Sequence, residues 1–193
     1  MRIIAGTYRS RLLTAPAGMA TRPTSDRLRE TLFDVLGARI QGAAFLDLYA
    51  GSGAVGIEAL SRGGARTAFV ERARGALKAL RENLARLGIS RVAQVYAMSA
   101  ARFLRAAEAA QPFDLVFLDP PYEASEEYEA ALMLLENAAA RWLVEGAVVI
   151  AEHRRNQRLK DRYGRLEQTR LLEQGDAALS FYALAVAAGE RTR

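Results

Sequence analysis

The stretch Leu46-Asp-Leu-Tyr-Ala-Gly-Ser-Gly-Ala-Val-Gly56 decides the fold. Its first residues end an apolar run, Ala43–Tyr49, whose composition predicts a buried strand. Its glycines, Gly51, Gly53 and Gly56, fit G-x-G-x-x-G, the pattern of a tight turn that leads from a strand into a helix. Such a turn lets the backbone approach a ligand at the carboxyl end of a strand, where open α/β sheets bind their ligands. The stretch therefore predicts an α/β fold with a ligand at this turn.

The rest of the chain continues the alternation of strands and helices. Strands are predicted at Arg66–Glu71, Arg91–Tyr96, Phe113–Leu118, Val144–Glu152 and, as a terminal hairpin joined at Gly175-Asp176, within residues 168–187. Helices are predicted from Asp26 to Gly37 and at Ala54–Arg62, Arg74–Leu87, Ser99–Ala110 and Ser125–Ala139. This order predicts a doubly wound, mostly parallel seven-stranded sheet with an antiparallel C-terminal edge hairpin.

Composition narrows the chemistry. The chain has 193 residues, a formal net charge of +5, no cysteine, and His153 as its single histidine. Disulfides and thiolate sites are excluded, and we expect no metal site and no Ser-His-Asp triad. No apolar run approaches the length of a membrane span, and the N-terminus lacks a signal-peptide pattern, so we expect a cytoplasmic protein without membrane contact.

Arginine is concentrated at the N-terminus. Residues 1–14 predict two short β segments around Gly6-Thr7, a basic hairpin outside the main core, and we divide the chain into residues 1–23, the hairpin and its loop, and residues 24–193, the main domain. Clustered arginine is typical of phosphate binding. The six candidates for nucleic-acid contact are Arg2, Arg9, Arg11, Arg22, Arg27 and Arg29. A second basic cluster, Arg154 to Arg170, is interpreted as a solvated face.

A nucleoside-containing cofactor is predicted because Glu71 ends the second strand twenty residues after Gly51, where a carboxylate can accept hydrogen bonds from ribose hydroxyls. NAD or FAD would place a pyrophosphate at the turn, whereas S-adenosylmethionine has none. Asp47 favours S-adenosylmethionine, since its carboxylate would attract an ammonium group and repel a pyrophosphate. The predicted cofactor contacts are Asp47, Tyr49, Ala50, Gly51, Ser52, Gly53, Glu71, Arg72, Met98, Ser99 and Thr24.

Asp119-Pro120-Pro121-Tyr122 follows the strand Phe113–Leu118. Two prolines end the strand and hold the acid and the ring on a stiff turn at its carboxyl end. The alternative is a strand stop with an incidental acid. The stretch resembles the [Asn/Asp/Ser]-Pro-Pro-[Tyr/Phe/Trp] motif of amino-methyltransferases, which implies that these four residues are catalytic. Asp119 and the Pro120 carbonyl would accept the hydrogens of an exocyclic amino group, and Tyr122 would stack on its base.

Leu46–Gly56 also resembles motif I of the class I S-adenosylmethionine-dependent methyltransferases, a Rossmann-like fold. Arg2-Ile-Ile-Ala-Gly6, Arg9-Ser-Arg-Leu12 and, most specifically, Thr21–Phe33 resemble the bacterial RsmD family. The resemblance implies methylation of the N2 amino group of a guanine in 16S ribosomal RNA, with RNA contacts from the hairpin and the arginine-rich segment. It also implies a small ribosomal subunit or assembly intermediate as partner; we expect a monomer.

Two alternatives stay open at this point. A DNA amino-methyltransferase, acting on adenine N6 or cytosine N4, would use the same Asp-Pro-Pro-Tyr site, but such enzymes usually carry a target-recognition insert for which the chain has no room. A catalytically idle RNA-binding protein on the same fold is disfavoured by the intact Asp119–Tyr122 stretch. Ser10 stands where the family usually has glycine, which leaves the turn of the hairpin undetermined.

Overall fold

One eight-stranded sheet forms the centre of the computed structural model, which describes residues 1–15, 25–106, 111–121 and 125–185. The strands are β1 Ala44–Asp47, β2 Arg66–Glu71, β3 Ala93–Ala97, β4 Phe113–Leu118, β5 Leu143–Arg154, β6 Arg162–Tyr163, β7 Leu166–Gln174 and β8 Ala177–Leu184. Their order is β3-β2-β1-β4-β5-β8-β7-β6. The first five are parallel, and β8, β7 and β6 continue the sheet in antiparallel pairs.

Helices cover both faces of this sheet. They are α1 Asp26–Leu36, α2 Ala54–Ser61, α3 Arg74–Leu87, α4 Ala100–Arg105, α5 Ser125–Asn137 and α6 Ala139–Trp142, with a 3-10 turn at Gly37–Ile40 after α1. One face packs against the aromatic side chains of Phe103 and Trp142, and the other against Leu32 and Phe33 of α1. In the described parts of the chain, no helix combines the length and apolar composition needed to cross a membrane.

The predicted fold class is confirmed, with one strand added and several boundaries moved. The additional strand, β6, is only two residues long and lies in the basic segment, where no strand pattern is visible. The helix predicted to run to Ala139 divides at Ala138, whose ψ of 30° departs from helical geometry, into α5 and α6. The helix predicted at Ser99–Ala110 ends at Arg105, and residues 107–110 lie outside the described residues.

Residues 1–15, here called the N-terminal arm, pair in antiparallel fashion as the predicted hairpin, but they pack into the core and not outside it. An isolated antiparallel bridge, Arg2 to Leu12, pairs the two halves of the arm, and the amides of Ile3 and Leu13 donate across it to the carbonyl oxygens of Arg11 and Met1, both at 3.0 Å. Ile3 and Leu13 are buried in a cluster with apolar residues of α2 and α3, including Leu80. The arm therefore belongs to the same hydrophobic core as the helices beneath it.

Two polar side chains of α2 hold the backbone of the arm. The buried carboxylate of Glu58 accepts hydrogen bonds from the Ile4 and Ala5 amides, at 2.8 and 2.9 Å. Ser61 Oγ accepts the Tyr8 amide at 3.0 Å. These bonds satisfy backbone donors that the arm, lacking regular strands, does not pair internally.

Arg29 also holds the arm, and the expectation that it contacts RNA is corrected. Its side chain is fully buried and donates to the carbonyl oxygen of Arg2 and to Asp26 Oδ1. Its Nε lies 3.6 Å from Glu58 Oε2, so the two charges are buried together. A guanidinium in this position is not available to a phosphate group in solution.

Candidate functional site

A cleft of about 1700 Å³ runs along the carboxyl ends of β1, β2, β4 and β5. This is the edge at which open α/β sheets bind ligands. Twelve of the predicted catalytic and cofactor-binding residues line it: Asp47, Tyr49, Ala50, Gly51, Ser52, Glu71, Arg72, Met98, Ser99, Asp119, Pro120 and Pro121. Gly53 is buried beneath the turn instead, as the N-cap of α2. Thr24 and Tyr122 lie outside the described residues.

The glycine turn has the geometry that the pattern predicts. Gly53 has φ of 87°, a left-handed conformation that favours glycine. A Cβ on Gly56 would lie 2.4 Å from Cε1 of Phe69 in β2, so glycine here lets α2 pack closely against the sheet. A Cβ on Gly51, which lines the cleft, would meet no atom within 4 Å. The backbone at Gly51 is therefore open to a ligand.

Glu71 shapes this turn and also faces the cleft. Its Oε2 accepts the Gly51 amide at 2.8 Å, while its Oε1 accepts the amides of Arg72 and Ala73, both at 2.7 Å. A carboxylate oxygen can accept two hydrogen bonds, so Oε2 keeps capacity for one more donor. The position is suited to a ribose hydroxyl, in agreement with the sequence-based interpretation.

Asp47 ends β1 beneath the turn and is 2% exposed. Its Oδ2 accepts the Gly56 amide at 3.1 Å. Burial raises the pKa of Asp47 to about 7, and the negative charge of Glu71 adds to the rise, although the amides of Gly56 and Tyr49 oppose it. A positive group in the cleft would favour the ionised form of this carboxylate.

Asp119 is half-buried and stands beside a buried acid, Glu152. Leu118 of β4 pairs with Ala151 of β5, so the next residues along the two strands, Asp119 and Glu152, are neighbours at the cleft. Glu152 is 2% exposed. Burial, followed by the charges of Glu152 and Asp47, raises the pKa of Asp119 well above its usual range. Adjacent strands β1, β4 and β5 thus each bring a carboxylate to one site.

The sequence analysis did not single out Glu152, although a signal for it was present. It is the last residue of the predicted strand Val144–Glu152, just as Asp47 and Glu71 lie near the ends of theirs. An acid that ends an apolar parallel strand is placed at the ligand-binding edge by the topology alone.

The predicted cofactor contacts Tyr49, Arg72 and Ser99 lie on one side of the cleft, here called the cofactor side. This side carries a small polar network. The Tyr49 hydroxyl donates to Glu127 of α5, and burial together with this carboxylate raises the pKa of Tyr49 above its usual range. Arg72 Nη2 lies 3.3 Å from Glu127 Oε1. Ser99 caps α4, since its Oγ accepts a hydrogen bond from the Arg102 amide at 3.3 Å. The same residue also lines the cleft.

A buried asparagine of α3 joins the N-terminal arm to the glycine turn. Asn83 Nδ2 donates to the carbonyl oxygens of Ser52 and Thr14, each at 3.0 Å, and its Oδ1 accepts the Thr14 amide at 2.8 Å. Met1 and Ala15, at the two ends of the arm, line the cleft. The arm is therefore fixed to the turn that forms the floor of the site.

The candidate arginines occupy three kinds of position. Arg2, Arg9 and Arg11 are exposed on the arm, and Arg27 is exposed at the cleft. Arg29 is buried, as described above, and Arg22 lies outside the described residues. Part of the second basic cluster also lines the cleft, at Arg154, Arg155 and Arg158. All three are exposed, as expected of a solvated face, and they border the cleft.

Comparisons with known proteins show the family to which this chain belongs. The sequence profile of the family described as Conserved hypothetical protein 95 matches residues 1–183. The chain belongs to this family, the RsmD family.

RsmD-family relatives match over most of their length. Ribosomal RNA small subunit methyltransferase D of Escherichia coli is 42% identical over 154 residues, which cover 79% of this chain and 74% of that protein. YlbH of Bacillus subtilis is 39% identical over 183 residues, 94% of this chain and 98% of YlbH. The solved structure of yhhF from Escherichia coli has a TM-score of 0.83 and 37% identity, and the alignment covers 96% of this chain and 98% of that one.

Replacing Asp47 by asparagine tests how much the buried charge of Asp47 lowers the free energy of unfolding. The folded state favours the protonated form, because the pKa is raised to about 7 from 3.8, so this residue's contribution to stability falls as pH rises between these values. Asparagine keeps an acceptor for the Gly56 amide but carries no charge. We expect the stability of Asp47→Asn relative to wild type to increase by roughly 2 kcal/mol from pH 5 to pH 8, measured by urea unfolding without ligand.

The control is Asp34→Asn, whose side chain is 70% exposed and for which we expect no such trend. A stability of Asp47→Asn relative to wild type that does not rise between pH 5 and pH 8 would contradict the assignment.

Proposed function

We propose that this protein transfers the methyl group of S-adenosylmethionine to the exocyclic N2 amino group of a guanine in 16S RNA of the small ribosomal subunit. The observation that carries the proposal is the placement of Asp119 and Pro120 beside the glycine turn and two buried carboxylates. Membership of the RsmD family supports it, since a 42% identical member is named ribosomal RNA small subunit methyltransferase D.

The residues present fit S-adenosylmethionine better than a dinucleotide. Three acidic side chains, Asp47, Asp119 and Glu152, line the inner cleft, and a ligand with ammonium and sulfonium groups would favour their ionised forms, whereas a pyrophosphate would be repelled by them. The open backbone at Gly51 and the remaining capacity of Glu71 Oε2 suit its amino-acid and ribose parts. When bound, this cofactor supplies an electrophilic methyl group on a positively charged sulfur.

Asp119 and Pro120 would increase the reactivity of the amino nitrogen that receives the methyl group. The lone pair of an exocyclic amino nitrogen is delocalised into the base, so the nitrogen is a poor nucleophile. Hydrogen bonds from this nitrogen to the Asp119 carboxylate and the Pro120 carbonyl draw it toward tetrahedral geometry and direct its lone pair at the methyl group. Asp119 also stabilises the positive charge that develops on the nitrogen, and its raised pKa suits it to accept the proton released.

The arm supplies contacts to the RNA backbone in this proposal. Arg2, Arg9, Arg11 and Arg27 are exposed, and Arg27 lies at the cleft. Tyr122 is expected to stack on the base, as the methyltransferase motif implies. Because positioning and the carboxylate charge meet the needs of the reaction, the proposal includes no metal. We place the protein in the cytoplasm as a monomer acting on its ribosomal substrate.

The acceptor is tested with tritiated S-adenosylmethionine and three separate substrates: naked 16S RNA, small ribosomal subunits and duplex DNA. We expect label in RNA, naked or in subunits, at guanine N2. Asp119→Ala should lower the single-turnover rate by about 100-fold or more, because the variant lacks the group that orients and stabilises the nitrogen. Its affinity for S-adenosylhomocysteine, which lacks the sulfonium charge, should stay within a few-fold of wild type by calorimetry.

Label confined to DNA would replace the proposal with the DNA amino-methyltransferase alternative. Label at an adenine of the RNA would keep the mechanism and refute the specificity, and near-normal turnover of Asp119→Ala would refute the catalytic assignment.

The arm is tested with the double variant Arg9→Ala, Arg11→Ala. Removal of each arginine that pairs with a phosphate should weaken RNA binding and flatten the slope of log affinity against log salt concentration by about 0.7–0.9. The matched control is Arg91→Ala, an exposed arginine that precedes β3 and so lies at the sheet edge opposite the cleft. Equal affinity and slope for the double variant and this control would remove the arm from the RNA interface.

A further inference from the structure

Glu152 takes no part in the proposed methyl transfer, although it lies next to Asp119 in the cleft. It is buried near the end of β5, in register beside Asp119, and lines the cleft. Its backbone is held in place, since the Tyr128 hydroxyl donates to its carbonyl oxygen at 2.7 Å and the residue pairs with Leu179 of β8. A carboxylate kept at low exposure beside another acid costs folding free energy. Such groups concentrate where ligands bind.

The bases differ in what they present beside their amino group. Guanine carries two adjacent donors on its Watson–Crick edge, the N2 amino group and N1–H. Adenine and cytosine each place an acceptor nitrogen, N1 or N3, next to the amino group. Enzymes that take a base out of its stack read this edge by hydrogen bonds. A carboxylate accepts and cannot donate when it is ionised, the form that a positively charged cofactor in the cleft favours, so two adjacent ionised carboxylates match guanine and repel the other two bases.

We propose that Glu152 accepts the N1–H of the target guanine while Asp119 accepts an N2 hydrogen, so that Glu152 selects guanine over adenine and cytosine. This inference rests on the proposed function and supplies the choice of base that the Asp-Pro-Pro-Tyr motif leaves open. The cleft has the room, since about 1700 Å³ exceeds the roughly 300–1,000 Å³ usual for one small ligand. Donation from N1–H and N2 replaces the repulsion between the two acids with hydrogen bonds to both.

The test exchanges the acceptor for a donor. In Glu152→Gln the amide nitrogen can donate to the N1 of 2-aminopurine, a base that keeps the amino group of guanine but has an acceptor at N1. The substrates are 16S RNAs, reconstituted into subunits, with guanine, 2-aminopurine or adenine at the position that the wild-type protein modifies. We expect wild type to prefer guanine by at least tenfold in kcat/KM. In the variant, the ratio of 2-aminopurine to guanine should rise at least tenfold.

Two further variants separate recognition from structure. Glu152→Asp keeps a carboxylate and should keep the preference for guanine, even where its rate is lower. Glu127→Gln makes the same chemical change on the cofactor side of the cleft and should leave the ratio unchanged. Equilibrium binding of the same RNAs to the protein with S-adenosylhomocysteine, measured by fluorescence anisotropy, should show the same shift in preference as the rates.

A Glu152→Gln variant whose guanine and 2-aminopurine rates fall equally, or stay unchanged, while wild type methylates guanine would overturn this inference and leave the proposed function intact. Wild-type protein that modifies no RNA would overturn both.

Discussion

Buried negative charge is the constraint on which this site depends. Asp47, Asp119 and Glu152 are brought together because β1, β4 and β5 are adjacent and parallel, so that their carboxyl ends meet at one edge. Burial, followed by the charges of Glu152 and Asp47, raises the pKa of Asp119 well above its usual range, and burial, with the charge of Glu71, raises that of Asp47 to about 7. A cleft arranged in this way is destabilising until a cation and hydrogen-bond donors enter it. It therefore favours a positively charged cofactor and a substrate edge rich in donors.

The surrounding fold keeps these acids from relaxing apart. Helices pack on both faces of the sheet, and the glycine turn is held by Glu71 from one side and by Asn83 from the other. The same Asn83 side chain bonds to Thr14, so the segment that carries exposed arginines shares a fixed support with the glycine turn. The arm and the turn are thus parts of one connected arrangement.

Much of this architecture could be predicted because its signals are local. Alternating strand and helix patterns, the spacing from Gly51 to Glu71, and the two prolines after Leu118 each lie within a short window of sequence. Twelve of the catalytic and cofactor-binding residues predicted from these signals line one cleft in the structure.

The rest depended on contacts between distant parts of the chain. In the sequence, Arg29 cannot be distinguished from the surface arginines near it. Its hydrogen bond to the Arg2 carbonyl oxygen and its proximity to Glu58 show that it holds the N-terminal arm in place. The arm's packing depends on Glu58, more than fifty residues away from Ile4 and Ala5. No sequence motif surrounds Glu152. Its place in the site became evident only from the pairing register of β4 and β5, which puts it beside Asp119.

Proton release on cofactor binding is the most direct test of the central claim, that the buried acids await positive charge. At pH 6 the amino group of S-adenosylmethionine is already protonated, whereas Asp47, with its pKa of about 7, is mostly neutral. Titration calorimetry in buffers of different ionisation enthalpy should therefore show release of about one proton or more per cofactor bound. A binding enthalpy independent of the buffer at this pH would contradict the account.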